Sequence, residues 1–136
     1  MGGEEVKISV DTNVLVRAAV RDDPEQAEAA IRLMGRAKIV AITLPSLCEF
    51  VWVLRSVYGL KPLEIGRAIR TLLTAENVET NRPAVEAGLG ILESGGDFTD
   101  GVIEYEGRWL GAETFVSFDK NAVEILRAQG AAVRLL

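Results

Sequence analysis

Histidine is absent from the chain, and cysteine occurs once, at Cys48. The first absence excludes Ser-His-Asp and Cys-His catalysis, histidine-based ribonuclease chemistry and histidine-ligated zinc. The second excludes an internal disulfide and thiolate zinc sites, and gives no sign of an oxidising compartment. A phosphate loop of the GxxxxGK[ST] type is missing as well. No apolar run approaches the roughly 20 residues that a membrane span needs. Lys7 and Ser9 interrupt the first apolar stretch, so no signal peptide is expected. Met1-Gly2-Gly3 opens like a myristoylation signal, but position 6 is Val where Ser or Thr is wanted. The cytoplasm is the expected location. Repeats, low-complexity tracts and linkers are also lacking.

What remains as hard chemistry is carboxylate. The 136 residues carry 20 acids against 15 bases, a net charge of -5. A module that coats nucleic acid usually has the opposite sign. The acidic balance suits a nuclease whose acids are neutralised by bound cations. With 49% hydrophobic residues the chain has enough apolar material for a real core, and its length fits one domain over residues 1–136.

Apolar periodicity and turn residues predict strands alternating with helices. Val6–Val10 reads as a strand. Asp23 caps a helix with Pro24 at its first position and Gln26 closing a capping box, running to Met34 and stopping at Gly35. Residues 39–43 form a short β-branched run. Pro45-Ser46 opens an apolar helix ending near Tyr58, with Gly59 as its left-handed cap. Further helices are expected over 62–73, 83–92, 97–110 and 119–129. Short strands are expected at 78–79, 114–117 and 132–135. Such alternation implies crossover connections and a three-layer α/β/α fold with a central, mostly parallel sheet.

In open sheets of this kind ligands bind beyond the carboxyl ends of the strands. Asp11 directly follows the first strand, and Asp119 follows the 114–117 strand after one residue. Glu49 falls in the first turn of the helix after the Ile39 run, and Asp100 in the first turn of the helix that feeds the 114–117 strand. Each acid also has an ordinary structural role. Ser46 to Glu49 makes a capping box, Asp97 and Asp119 are natural helix caps, and Asp11 can begin a turn with Asn13. Asp11 nonetheless reads as functional, because a buried strand end is a costly place for an unpaired charge. Together, four converging carboxylates would repel one another unless hard divalent cations sat between them, and Mg²⁺ is the natural partner. Arg17, Arg21, Arg108 and Lys120 are the bases nearest in sequence and the candidate phosphate contacts. Trp52, Val53, Leu54 and Val57 follow helical spacing and read as core or interface. Tyr105 and Trp109 lie one turn apart and are expected to pack.

These acids sit in motifs with a family likeness. Val10-Asp11-Thr12-Asn13-Val14-Leu15 resembles the opening of PIN domains. The stretch from Leu44 to Leu54 resembles their second acidic motif, Asp97-Phe98-Thr99-Asp100 the third, and Ser117-Phe118-Asp119-Lys120 the fourth. The motifs occur in the family order and cover essentially the whole chain. The branch it looks like most is the VapC-type toxins of toxin–antitoxin pairs. The resemblance implies an Mg²⁺- or Mn²⁺-dependent ribonuclease acting on RNA, often a homodimer, held inactive by a cognate antitoxin and touching DNA only through it. It makes Asp11, Glu49, Asp100 and Asp119 the catalytic acids, the three aspartates metal ligands, and Thr12, Asn13 and Asp97 supporting residues.

The third motif departs from the family where Gly101, Glu104 and Glu106 replace its usual alanines and basic residue. The two extra acids are expected to weaken RNA approach, and Gly101 to loosen the helix. Rival readings fare less well. A phosphoacceptor receiver domain needs an acidic pair after the first strand, where only Asp11 stands. An Asp-x-Asp phosphatase needs Asp at position 13, which is Asn. Within the family, the alternatives to a toxin are an RNA-processing nuclease without antitoxin and an inactive scaffold that binds a partner.

Overall fold

In the computed structural model, which describes residues 6–136, strands and helices alternate much as the sequence predicts, and every strand ladder is parallel. The Met1-Gly2-Gly3 segment lies outside the described residues. The chain forms two compact units, Met1–Asn81 and Arg82–Leu136.

The first unit contains β1 (Lys7–Ser9), α1 (Thr12–Val20), α2 (Pro24–Arg36), β2 (Ile39–Ala41), α3 (Leu44–Ser56), α4 (Pro62–Leu73) and β3 (Val78–Glu79). Its sheet runs in the order β1-β2-β3, with Ile8 opposite Val40 and Val40 opposite Val78. Burial explains the helices. On α3 the buried residues Leu47, Phe50, Val51 and Leu54 repeat at helical spacing. On α4, Ile65 and Ile69 do the same, one turn apart. Leu54 is therefore core, but Trp52 and Val57 are 63% and 64% exposed, so the apolar run around Trp52 is only partly interior.

Helix α1 is not among the helices the sequence predicts, where a turn from Asp11 to Asn13 is one structural role open to Asp11. Asp11 ends the extended segment and its side chain accepts the Val14 amide, so the turn is a helix start. Leu15 and Val16 are then buried. Helix α2 runs through Gly35 rather than stopping there. The Ala37 amide still closes onto the Leu33 carbonyl, and the Asn77 side-chain amide caps the exposed end of the helix by donating to the Met34 and Ala37 carbonyls at 2.8 and 2.9 Å. After α3, Gly59 adopts φ +67 and the Leu60 amide reaches back to the Leu54 carbonyl, the expected left-handed termination.

The second unit contains α5 (Arg82–Glu93), α6 (Phe98–Trp109), β4 (Phe115–Ser117), α7 (Lys120–Ala128) and β5 (Val133–Leu135). Strands β4 and β5 pair in parallel, with Val116 opposite Arg134, and α7 makes the crossover. The packing of α6 on α5 depends on missing side chains. A Cβ at Gly101 would drive into the Ala87 carbonyl and stand 2.8 Å from the Gly88 Cα, and a Cβ at Gly88 would meet the Phe98 ring at 2.6 Å. Gly101 thus has a packing role that outweighs its intrinsic cost to the helix. Gly101→Ala is expected to lower stability by about 1–3 kcal/mol in urea unfolding, because backbone, which cannot step aside, would be overpacked. A more stable Gly101→Ala, as helix propensity alone would give, would show that the two helices do not need this close crossing.

Candidate active site

In the first unit, Val10 is buried and Asp11 is the first exposed residue beyond β1. The burial expected for Asp11 is therefore not found. The helix that begins there turns the side chain outward. Its Oδ1 accepts the Val14 amide at 3.1 Å, and its other oxygen has no protein partner among the described residues. The side chain thus caps α1 and still presents a free carboxylate oxygen.

Glu49 is not a capping residue. The cap of α3 is Thr43, whose hydroxyl accepts the Ser46 amide at 3.3 Å. That start places Glu49 in the second turn, one turn later than the sequence suggested. Its Oε1 instead accepts the Thr12 hydroxyl at 2.7 Å, across 37 residues. Ser46 adds a second tie by donating its hydroxyl to the Val10 carbonyl at 3.4 Å. Asp11 and Glu49 are thereby linked through the neighbouring residue Thr12 and the packing of α1 on α3.

The second unit assembles another acidic group. Asp97 caps α6 and accepts the Thr99 amide at 3.1 Å. Asp100 lies in the first turn of that helix. Asp119 caps α7, accepting the Ala122 amide at 3.1 Å while its own amide donates to the Ser117 hydroxyl at 2.9 Å. The start of α7 is held to the α5–α6 turn by Asn121, whose side chain donates to the Gly95 carbonyl at 3.2 Å. Sequence reading missed Asn121, since an amide whose partner is a glycine carbonyl leaves no pattern. Asp100 feels the result. Burial, then the charges of Asp97 and Asp119, push its carboxyl above the ordinary value of 3.8.

The candidate bases divide. Arg17 donates to Asp22 at 2.9 Å, and Arg108 is engaged twice by Glu104, at 2.7 and 3.2 Å, while lying over the Tyr105 ring. Arg21, which ends α1 at φ +61, and Lys120, the first residue of α7, are exposed and make no ion pair among the described residues. Glu104 is only 8% exposed and neutralised by Arg108, so it is not the free charge the sequence suggested; Glu106 is exposed. Tyr105 and Trp109 meet as expected, the Trp109 ring N–H donating to the Tyr105 hydroxyl at 2.7 Å, and the contact lies at the surface, with Trp109 76% exposed.

Every candidate ligand is a hard oxygen donor, which suits Mg²⁺ or Mn²⁺. Among the described residues no three acid or thiol side chains are gathered as a ready cation cage. The crowding at Asp100 is of the kind a divalent cation relieves. A carboxyl raised in the folded state destabilises the fold when ionised. That penalty is complete above its folded pKa and gone below the ordinary 3.8. Asp100→Asn is accordingly expected to raise the metal-free melting point at neutral pH, with the gain vanishing as pH falls to that range. An unchanged or lower melting point at neutral pH would mean that attraction to the α6 N-terminus outweighs the repulsion.

No helix among the described residues is long and apolar enough to cross a membrane. No curated protein matches the chain. The sequence does match the PIN domain family over residues 8–125, a stretch that includes all four acids. The family's three-layer α/β/α class is the one expected from the alternation of strands and helices. The chain therefore belongs to the PIN domain family, whose members are generally nucleases that use divalent metal ions.

Proposed function

We propose that this PIN domain is an Mg²⁺- or Mn²⁺-dependent endoribonuclease with Asp11, Glu49, Asp100 and Asp119 as its catalytic carboxylates. We also propose that it is the toxin of a VapBC-type toxin–antitoxin pair, working in the cytoplasm as a homodimer. The observation that carries the reading is the family match, which spans all four acids in motif order. Local geometry supports it. Asp11 and Asp119 each spend one oxygen on a helix amide and leave the other available.

Asp11, Asp100 and Asp119 would hold the ion, with Thr12, Asn13 and Asp97 in support. When bound, the ion supplies charge to the phosphate oxygens and lowers the pKa of the attacking water. Glu49, oriented by the Thr12 hydroxyl, would align that water. The N-termini of α1 and α7, which Asp11 and Asp119 cap, favour a phosphate by their dipoles. Exposed Arg21 and Lys120 remain open for phosphate contact.

Asp11→Asn separates chemistry from folding. Asn caps a helix as well as Asp does, so α1 is expected to survive. Cleavage of RNA by the purified chain in Mg²⁺ or Mn²⁺ is expected to fall by more than about a hundredfold, since even residues behind a metal ligand often cost 10–100-fold. Mg²⁺ or Mn²⁺ is expected to raise the wild-type melting point by mass action, and to raise that of Asp11→Asn less. Equal shifts in the two proteins, or undiminished cleavage, would remove Asp11 from the site.

The toxin assignment calls for a separate inhibitor. Its expected features are an Arg or Lys that reaches the acids in place of the metal charge, and an amphipathic segment that covers apolar surface. Trp52 on α3, with Val57 and Leu63 nearby in sequence and all more than 60% exposed, offers such surface. Co-expression with the adjacent reading frame is expected to yield a small basic protein that co-purifies and suppresses RNA cleavage. A chain harmless on its own, with no such partner, would leave a PIN nuclease of RNA processing instead.

A further inference from the structure

A cleft of about 340 Å³ opens between α1 and α2, and Asp11 is one of its walls. Asn13, Arg17 and Gln26 supply its polar lining, Val14 and Leu33 part of its apolar lining. Asn13 and Arg17 are four residues apart and share one face of α1. At 1.5 Å per residue, Arg17 lies roughly 9 Å along the helix axis from Asp11, a distance on the scale of a nucleotide.

Arg17 is held in place from outside the cleft. Its Nη1 donates to Asp22 Oδ1 at 2.9 Å, and the Tyr58 hydroxyl donates to Asp22 Oδ2, also at 2.9 Å. Both oxygens of Asp22 are thus in use, and the guanidinium is braced against a residue 36 positions away from Asp22. A staple between α1 and the end of α3 would account for that much. It does not account for the rest. A guanidinium has five N–H donors, and Asp22 and Tyr58 on this side do not use them all. The Arg17 Nε is buried without a hydrogen-bond partner. Asn13 and Gln26 bring two exposed amide side chains to the same cleft, with no partner for either among the described residues. The buried Nε is an unpaired donor of the kind that marks a functional constraint, and the exposed Asn13 and Gln26 amides are hydrated and can exchange water for a ligand.

We propose that this cleft seats the nucleotide adjoining the scissile phosphate of a single-stranded RNA, with Arg17 as its phosphate contact. Asn13 and Gln26 hydrogen-bond the base or ribose edge, and Asp22 and Tyr58 are positioning residues that aim the guanidinium. Single-stranded RNA is the class that fits, because only an unpaired base can enter a cleft and offer its Watson–Crick edge to short amide side chains. A planar fork matches a phosphate better than an ammonium does. The proposal rests on the ribonuclease reading above.

The test uses a labelled single-stranded oligouridylate, followed by fluorescence anisotropy in Ca²⁺ at several salt concentrations, together with cleavage kinetics in Mg²⁺. Arg17→Gln is expected to weaken binding about tenfold, the size of one lost charge-assisted hydrogen bond. Its dependence of log affinity on log salt is expected to flatten by about 0.7. In cleavage KM rises and kcat changes little, and the Mg²⁺-induced shift in melting point stays as in wild type. Arg17→Lys restores the salt dependence but not the affinity. Tyr58→Phe keeps the charge and hence the salt dependence, yet raises KM. Gln26→Ala, an exposed change that leaves the Arg17 brace intact, raises KM even if Arg17→Gln proves unable to fold. Wild-type binding and KM in folded Arg17→Gln, or in Gln26→Ala where Arg17→Gln does not fold, would overturn the proposal while leaving the nuclease standing. A wild-type chain that neither binds nor cleaves the RNA would overturn both.

Discussion

Asp11, Asp97 and Asp119 are each held by the first turn of the helix they begin, through the Val14, Thr99 and Ala122 amides. This one interaction serves both stability and chemistry. It satisfies an amide that has no partner inside the helix. It also fixes the carboxylate at the positive end of a helix dipole, where negative charge is favoured. Because a carboxylate has two oxygens, capping with one does not remove the other from service. Capping a helix and holding a ligand are thus not exclusive roles for these residues.

Around these caps, hydrogen bonds from uncharged donors do the arranging. Thr12 reaches Glu49, Ser46 reaches the Val10 carbonyl, and Asn121 reaches the Gly95 carbonyl. Each spans more than twenty residues of sequence and fastens the start of one helix to a different element. Neutral groups suit this task. Being uncharged, these donors leave the negative charge of the acids uncancelled. The cations that do form pairs serve other ends. Arg108 neutralises the nearly buried Glu104, and Arg17 is braced by Asp22. The Arg17 pair also shapes Asp22, whose carboxyl lies below its ordinary value, first because of the Tyr58 hydroxyl and then because of Arg17, against the opposing effect of burial.

Packing sets the remaining constraint. Helix α6 comes within a glycine's reach of α5, with Gly101 facing the backbone at Ala87 and Gly88, and the fully buried Phe98 ring covering Gly88. Gly101 adjoins Asp100, which is itself partly buried. Burial first, and then the charges of Asp97 and Asp119, raise its carboxyl.

Sequence by itself determined the features that rest on neighbours within about one turn. Asp23 caps α2, Asp97 caps α6 and Asp119 caps α7 as expected, and α4 has the expected ends at Pro62 and Leu73. The parallel alternation and the short strands at 78–79 and near 115–117 were legible from apolar runs between turn residues. The same sequence places the four proposed acids in ordered motifs that the family match spans. Tertiary structure alone decided the rest. Ser46 and Glu49 have the spacing of a capping box, yet Glu49 pairs with Thr12 because α1 packs on α3. Asp11 begins a helix where a turn was read, since burial of Leu15 and Val16 rewards the helix and local signals do not reveal burial. Gly101 reads as a weak point of α6 until α5 lies against it. Arg17 and Arg108 read alike as basic residues near acids, but one lines an open cleft and the other is spent on Glu104. A cap or a periodic face is built from residues a few positions apart, which sequence displays directly. A hydrogen bond across 37 residues, or a backbone contact between two helices, exists only once the chain has brought its partners together.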